Sequence, residues 1–168
     1  TKYYSEELEE TIKKAYRQGI LIVAAAGNDG NAAEDESTIE YPAAFDEVIS
    51  VGATDVDNSV MESSSTGDEL DVVAPGNRIL STGAFGGVVV DDGTSVSAAQ
   101  VTGIAAVLWG KHPDKSNEFI RQLLVGSANT EAVHGACGNG LVDYTQTNLN
   151  YKQMNSSYRT YKKQGLAE

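Results

Sequence analysis

Basic side chains and cysteine are both scarce in this chain of 168 residues. Lys and Arg total 12 against 24 Asp and Glu, which gives a formal net charge of -12. Because the basic residues are also scattered, the sequence lacks the cationic cluster that phosphate binding requires, and this argues against a nucleic-acid partner. The single cysteine, Cys137, cannot form an internal disulfide, and no metal-ligand spacing surrounds it. We therefore predict a packed or half-exposed thiol at this position.

Long apolar runs are missing as well. No run approaches the roughly 18 residues that a membrane span requires, so we expect no transmembrane segment. The composition includes 40% hydrophobic residues and 17 glycines. A single domain of this length buries roughly 70% of its unfolded surface. These features fit one globular domain of the α/β class.

The first part of the chain alternates a helical pattern with apolar, strand-like runs. Ser5 is placed to cap a helix that Gly19 ends, with glutamates in its first turns and basic residues in its last. Residues 20–26 include no polar side chain, which predicts a strand covered on both faces of a parallel sheet. After the polar stretch NAAEDESTIE, further strands are predicted over 48–53 and 70–74.

The second part of the chain predicts a hairpin over 79–90 and then a helix over 95–109. Small and apolar residues occur on every side of that helix, which is typical of a helix buried all round. Ser116 is placed to cap a further helix. From residue 144 the composition turns polar, and tyrosines recur every seven residues, at Tyr144, Tyr151 and Tyr158. This segment is predicted to be a docked or solvated tail, and a helix that binds a specific partner is the alternative.

The segment DDGTSVSAAQVTG places Ser95 between a glycine-containing turn and the predicted helix. A serine in the first turn of a helix holds its own backbone N–H toward developing negative charge, and Gly93 lets a substrate approach closely. The same pattern is also that of an ordinary helix cap. On these residues alone, Ser95 is either a nucleophile or a cap.

The segment AAAGNDG places Asn28 directly after the predicted strand over 20–26. Ligands of open α/β sheets bind at the carboxyl ends of the strands, and a side-chain amide is a suitable donor to an oxyanion. The alternative is that Asn28 starts a turn together with Asp29 and Gly30. A nucleotide-binding module is disfavoured, because the segment lacks the spaced glycines and the helix start of a phosphate loop.

Seven segments, in this order, resemble the subtilisin-like serine proteases, or subtilases: AAAGNDG, YPAAFDEVISVGA, LDVVAPG, ILSTG, DGTSVSAAQVTGIAAVL, KHP and GNGLVD. The resemblance covers residues 19–143 and implies a mostly parallel sheet flanked by helices. It also implies that Ser95 attacks peptide bonds and forms an acyl-enzyme, with an oxyanion hole made of the Asn28 side chain and the Ser95 N–H. Gly27 and Gly93 are expected to contact the substrate, and the implied location is secreted or on the cell surface.

A catalytic triad also needs a histidine base and an aspartate, and these are not found where the family has them. The two histidines, His112 and His134, both follow the nucleophile, whereas subtilases have Asp and His before the oxyanion asparagine. We therefore expect residues 1–143 to be the C-terminal half of a subtilase catalytic domain, inactive alone, and residues 144–168 to be a polar extension. Open strand edges would then be covered by the missing half or by a second copy of the chain. The alternative function is that of a degenerate subtilase which binds a peptide or protein without cutting it.

The resemblance also places two acids, Asp29 and Glu40, at the border of the S1 pocket. Carboxylates there favour an Arg or Lys side chain at the P1 position of a peptide or protein substrate. The alternative is that both are solvated loop acids of an acidic protein.

The resemblance implies no required cofactor and one weak cation site. The main-chain carbonyls of Ala43, Phe45 and Val48, with the carboxylate of Asp71, match such a site, and oxygen ligands of this kind suit Ca²⁺ or Na⁺. The alternative for Asp71 is an ordinary acid at the end of a strand.

Overall fold

The computed structural model describes residues 1–30 and 37–163, and for 154–163 it describes the backbone only. Residues 31–36 of the predicted polar loop lie outside the described residues. The helices are α1 (Glu6–Arg17), α2 (Thr94–Lys111), α3 (Asn117–Gly126) and α4 (Tyr144–Lys163). The strands are β1 (Ile22–Ala25), β2 (Val48–Thr54), β3 (Val72–Pro75), β4 (Ile79–Thr82) and β5 (Val88–Asp91).

The central element is a parallel sheet in which the strands lie in the order β1-β2-β3. Beyond β3 the backbone of residues 140–142 continues the sheet, because the Val73 N–H donates to the Gly140 carbonyl at 3.0 Å and the Val142 N–H donates to the Val73 carbonyl at 3.1 Å. Strands β4 and β5 form a separate antiparallel hairpin. The sheet and its helices confirm the α/β class.

Local sequence signals account for the ends of two helices. The Ser5 hydroxyl accepts a hydrogen bond from the Leu8 N–H at 3.3 Å, and the Ser116 hydroxyl accepts one from the Phe119 N–H at 3.1 Å. Both serines are therefore the predicted N-caps. Gly19 follows α1 with a φ of +86°, a backbone conformation that glycine adopts without strain.

Helices α2 and α3 cover one face of the sheet and form the main core. Its fully buried side chains share aliphatic character and come from the sheet and from both helices: Ile49, Val51, Val72, Val101, Leu108, Ile120 and Leu124. Every residue of β2 is buried, as expected for the central strand. A smaller cluster around Leu70 and Val73 fills the opposite face, and the half-buried Cys137 packs against it.

Two predictions of burial are wrong. All four residues of β1 are only half-buried, because β1 is an edge strand and no strand among the described residues pairs with its second edge. Helix α2 buries one side through Val101, Ala105 and Leu108 and exposes the other, where Val107 keeps 50% of its surface. The exposed side of α2 is made of small and apolar residues, which is the composition of a surface that another element covers.

Helix α4 packs against the end of α2 and against α3. The Tyr151 ring is buried, stacks on the His112 ring with 3.5 Å between centroids, and meets the Phe119 ring edge-on at 6.1 Å. The Lys111 ammonium donates a hydrogen bond to the Tyr144 hydroxyl. The side chain of Tyr158, the third tyrosine of the predicted series, lies outside the described residues.

We expect Tyr151→Ala to lower the free energy of unfolding by about 3 kcal/mol, because it removes a buried aromatic side chain and its two ring contacts. Chemical denaturation measures the change. The matched control is Leu149→Ala on the same helix, where the side chain is 45% exposed and the expected change is small. Equal effects of the two substitutions would show that α4 does not pack through Tyr151.

Among the described residues, none of the helices combines the length and the apolar character that crossing a bilayer requires.

Candidate active site

The site is built where β1 ends and α2 begins. Asn28 follows β1 after two residues, and Ser95 is the second residue of α2. The Asn28 Oδ1 accepts two hydrogen bonds from Thr94, one from its backbone N–H at 3.0 Å and one from its hydroxyl at 3.2 Å. These bonds hold the end of the strand and the start of the helix together across 66 positions of sequence.

The two bonds from Thr94 also orient the Asn28 amide. Because Oδ1 faces two donors, Nδ2 must be on the other side of the group, directed away from Thr94. In the part of the chain that the structure describes, nothing accepts a hydrogen bond from this Nδ2. Asn28 is exposed, so its amide N–H groups are available to a ligand.

Ser95 is not the cap of α2. The N-cap position belongs to Gly93, with φ 117° and ψ 177°, and no side chain caps the helix. Ser95 lies in the first turn, is exposed, and its hydroxyl has no hydrogen-bond partner within residues 1–30 and 37–163. Its own backbone N–H is among those that an α-helix leaves unpaired at its start. The structure therefore excludes a role as helix cap for Ser95.

Glycine at position 93 is required by two independent features. Its backbone conformation is essentially restricted to glycine. A Cβ there would lie 3.0 Å from Asn28 Oδ1. The Gly93 N–H also donates to the Gly76 carbonyl at 2.7 Å, which fixes the turn before Ser95.

The two predicted S1 acids lie on either side of Gly27. The Glu40 N–H donates to the Ala26 carbonyl at 2.8 Å, and the Glu40 Cγ would be 3.0 Å from a Cβ on Gly27. The Asp29 N–H donates to the Ser65 hydroxyl at 3.2 Å. Gly27 has a φ of +119°, and a Cβ there would lie 2.8 Å from Ser65 Oγ and 3.0 Å from Glu40 Cγ, so this position has no space for a side chain.

One of the two acids has a cationic partner from another part of the chain. The Lys2 ammonium lies 3.0 Å from Asp29 Oδ1. The hydrogen bond to Asp29 raises the pKa of Lys2, and the nearby charge of Glu40 adds to that effect. Lys2 therefore stays charged throughout the neutral range.

A shallow depression of about 510 Å³ opens beside Asn28 and Asp29. Its lining includes Ser63 and two further carboxylates, those of Asp55 and Glu62. The surface next to the Asn28 amide is thus acidic as well as open.

Neither histidine is placed as a base for Ser95. His112 is the C-cap of α2, about 25 Å from Ser95 at a rise of about 1.5 Å per residue, and its ring stacks on Tyr151. His134 is exposed in a loop, where its carbonyl accepts from the Val60 N–H at 2.9 Å. Among the described residues, neither histidine is therefore positioned to take a proton from Ser95.

The predicted cation site contains an internal cation. Arg121 Nη2 lies 3.3 and 3.2 Å from the two carboxylate oxygens of Asp71, and the Ser50 N–H donates to the second of these oxygens at 3.0 Å. The carbonyl of Phe45 accepts from the Val48 N–H at 3.0 Å. A metal ion would have to displace Arg121 from Asp71, so this arrangement does not fit a bound cation, and no step is derived through one.

Three residues of these sites were not predicted from the sequence: Thr94, Lys2 and Arg121. Thr94 could have been found, because it directly precedes the candidate nucleophile and can hydrogen-bond nearby groups. Lys2 and Arg121 are far along the sequence from the acids that they contact, and no local pattern connects them.

Comparisons of both the sequence and the structure with known proteins find proteases. A model of the subtilase family matches residues 1–140. Subtilisin DY of Bacillus licheniformis is 38% identical over 139 residues, which cover 83% of this chain and 50% of that protein. The major intracellular serine protease of Bacillus subtilis is 34% identical over 148 residues, which cover 83% of this chain and 46% of that protein. The chain thus spans about half the length of these curated relatives.

Solved structures show the same fold. The self-cleaved protease domain of PatA has a TM-score of 0.76 and 28% identity, over 86% of this chain and 55% of that one. Proteases from Pseudoalteromonas arctica give a TM-score of 0.78 and 26% identity, over 87% of this chain and 47% of theirs.

Proposed function

The chain belongs to the subtilase family, and on that premise we propose that it supplies the nucleophile and the oxyanion hole of a serine endopeptidase. The observation that supports this most directly is the orientation of Asn28, whose Oδ1 is held by Thr94 so that Nδ2 is free to donate. The unpaired N–H of Ser95, at the start of α2, is the second donor.

In the proposed reaction, the Ser95 Oγ attacks the carbonyl carbon of the scissile peptide bond. The hydroxyl proton passes to a base, and the carbonyl oxygen becomes an oxyanion that accepts hydrogen bonds from Asn28 Nδ2 and the Ser95 N–H. Collapse of the tetrahedral intermediate breaks the C–N bond, and the amine leaves with a proton. Water then hydrolyses the acyl-enzyme and regenerates the serine.

The base and its aspartate partner come from residues outside this chain in our proposal. Support comes from the placement of both histidines away from Ser95 and from the uncovered apolar surfaces of the chain, which include Ile20 and Val107. One edge of β1, which pairs with no strand in the described part of the chain, adds to them. We propose that the remaining half of a subtilase domain covers these surfaces, and a second copy of the chain is the alternative cover.

Fluorophosphonate labelling of the complete protein tests the proposal, since this reagent modifies only an activated serine. We expect labelling that is lost in Ser95→Ala, and none in the isolated 168-residue chain, because the base is missing. The matched control is Ser116→Ala, which removes a helix cap and leaves labelling intact. A folded complete protein that is not labelled would favour the degenerate, peptide-binding alternative.

We also propose that the intact enzyme prefers Arg or Lys at P1, because Asp29 and Glu40 flank Gly27. Glu40→Gln is expected to lower the ratio of kcat/KM values for P1 Arg and P1 Leu about tenfold, the value of one charge-assisted hydrogen bond of about 1.5 kcal/mol. Paired peptide substrates that differ only at P1 measure the ratio. Equal or better cleavage after Leu in the unmodified enzyme would overturn the preference.

We propose that the protein is located outside the cell. The family includes both extracellular and intracellular proteases. The relatives include the minor extracellular protease Epr of Bacillus subtilis, 34% identical over 143 residues, as well as the intracellular protease of the same species. Detection of the protein in the culture medium or in the cell fraction decides between them.

A further inference from the structure

We infer that Lys2 is a specificity-determining residue, whose ammonium group occupies the place at Asp29 that the cationic end of a P1 Arg or Lys would take. This inference rests on the proposed function and adds a residue to it. Lys2 is 27 positions away from Asp29 in the sequence, and the pair is brought together only by the fold.

Backbone and ring contacts hold the segment around Lys2 against the site. The Tyr41 N–H donates to the Thr1 carbonyl at 2.8 Å, immediately before Lys2. On the other side, the Tyr4 ring meets the Tyr41 ring at 5.7 Å and the Phe45 ring at 6.2 Å, both edge-on. Lys2 is therefore anchored from both directions, and its side chain starts from a defined position next to the acids.

The charges around Lys2 are those that a basic substrate side chain would meet. Its ammonium lies 3.0 Å from Asp29 Oδ1, and the carboxylate of Glu40 is close enough to contribute to its raised pKa. Two carboxylates and one lysine leave a local net charge of -1, whereas the two acids alone would give -2. Lys2 thus reduces the attraction that Asp29 and Glu40 offer to a second cation.

The pair is exposed enough for a substrate to displace it. The side chains of Lys2 and Asp29 keep 66% and 35% of their surface. Exposed ion pairs contribute about 0–1 kcal/mol. A substrate cation can therefore displace Lys2 from Asp29 at a small cost in free energy, which lowers the affinity for that substrate by a measurable amount. Removing Lys2 should strengthen binding of basic side chains by up to about fivefold and leave apolar ones unchanged.

The test uses the complete protein carrying Ser95→Ala, so that peptides are bound and not cut. Two fluorescein-labelled tetrapeptides, one ending in arginine and one in leucine after the same three alanines, are titrated by fluorescence anisotropy. We expect Lys2→Ala to raise the ratio of affinities, arginine over leucine, by about three- to fivefold. The rise should shrink with added salt, because exposed charges are screened.

Two variants control the result. Lys13→Ala removes the same charge from a similar ion pair, 2.7 Å from Glu9 on α1, and should leave the ratio unchanged. With Asp29→Asn already present, Lys2→Ala should raise the ratio less, since the carboxylate that pairs with Lys2 is gone. An unchanged ratio in Lys2→Ala, the same rise without Asp29, or no binding of either peptide would each overturn the inference.

Labelling of Ser95 keeps this test separate from that of the proposed function. If the protein is labelled by fluorophosphonate but Lys2→Ala leaves the ratio of peptide affinities unchanged, only the role of Lys2 would be overturned. A protein that is never labelled but shows the expected ratio would overturn catalysis and keep Lys2 as part of a peptide-binding site.

Discussion

Asn28→Ala is expected to lower the turnover number of the complete enzyme about 100- to 1000-fold, with little change in KM. This is the range typically found when one oxyanion-hole donor is removed, and the measurements behind it include a subtilisin, a member of the same family. The physical reason is that the Asn28 N–H groups bind the oxyanion in the transition state more strongly than the carbonyl of the substrate. Steady-state hydrolysis of a peptide amide measures the effect.

Two further variants separate the donor from its orientation. Asn28→Asp keeps the shape and the oxygen that accepts from Thr94 but replaces the donor by a negative charge, so its loss should be at least as large. Thr94→Val removes the hydroxyl, which contacts Asn28 Oδ1 and the backbone N–H and carbonyl of Gly27, and keeps the Thr94 backbone N–H on Asn28 Oδ1. A loss of about five- to tenfold is expected. Turnover within about threefold of the unmodified enzyme in a folded Asn28→Ala would show that Asn28 is not an oxyanion donor.

Gly93→Ala is expected to lower the free energy of unfolding by about 1–3 kcal/mol and to abolish fluorophosphonate labelling of Ser95. The φ of 117° with ψ near 180° is strained for any residue with a Cβ, and that Cβ would press on Asn28 Oδ1. Relief of the clash requires movement of either the oxyanion donor or the first turn of α2. Denaturation curves and labelling rates measure the two effects separately.

The matched control for Gly93→Ala is the same substitution at Gly126, at the end of α3. Gly126 lies in a helix and a Cβ there would meet nothing within 4 Å, so the change should be neutral or stabilising by up to about 1 kcal/mol. If Gly93→Ala behaves like Gly126→Ala in both measurements, the turn before Ser95 does not depend on glycine.

The sequence predicted well the features that depend on neighbouring residues. The Ser5 and Ser116 side chains bind backbone N–H groups three residues away. The positive φ of Gly19 after α1 and the pairing of β4 with β5, which follow each other directly in the chain, are equally local. Burial was predicted less well. The apolar sequences of β1 and α2 show that both sides of each element are suited to be covered, but they do not contain the residues that would cover them.

For Ser95, the sequence left a nucleophile and a helix cap as alternatives, and the family resemblance favoured the nucleophile. The structure adds the position of the helix start one residue earlier than Ser95, with Gly93 as the cap. That position depends on the bond from the Gly93 N–H to Gly76 and on those from Thr94 to Asn28, which are tertiary contacts.

By itself, then, the sequence determined the α/β class, the resemblance to subtilases, and the two residues proposed to act on the substrate, because these are expressed in short motifs and in their order. Only the tertiary structure decided which way the Asn28 amide faces, that Lys2 pairs with Asp29, and that Arg121 pairs with Asp71. These contacts join residues 27 to 66 positions apart. Such pairs meet only when the parallel strands lie in register and the helices pack on the sheet, which local side-chain preferences do not specify.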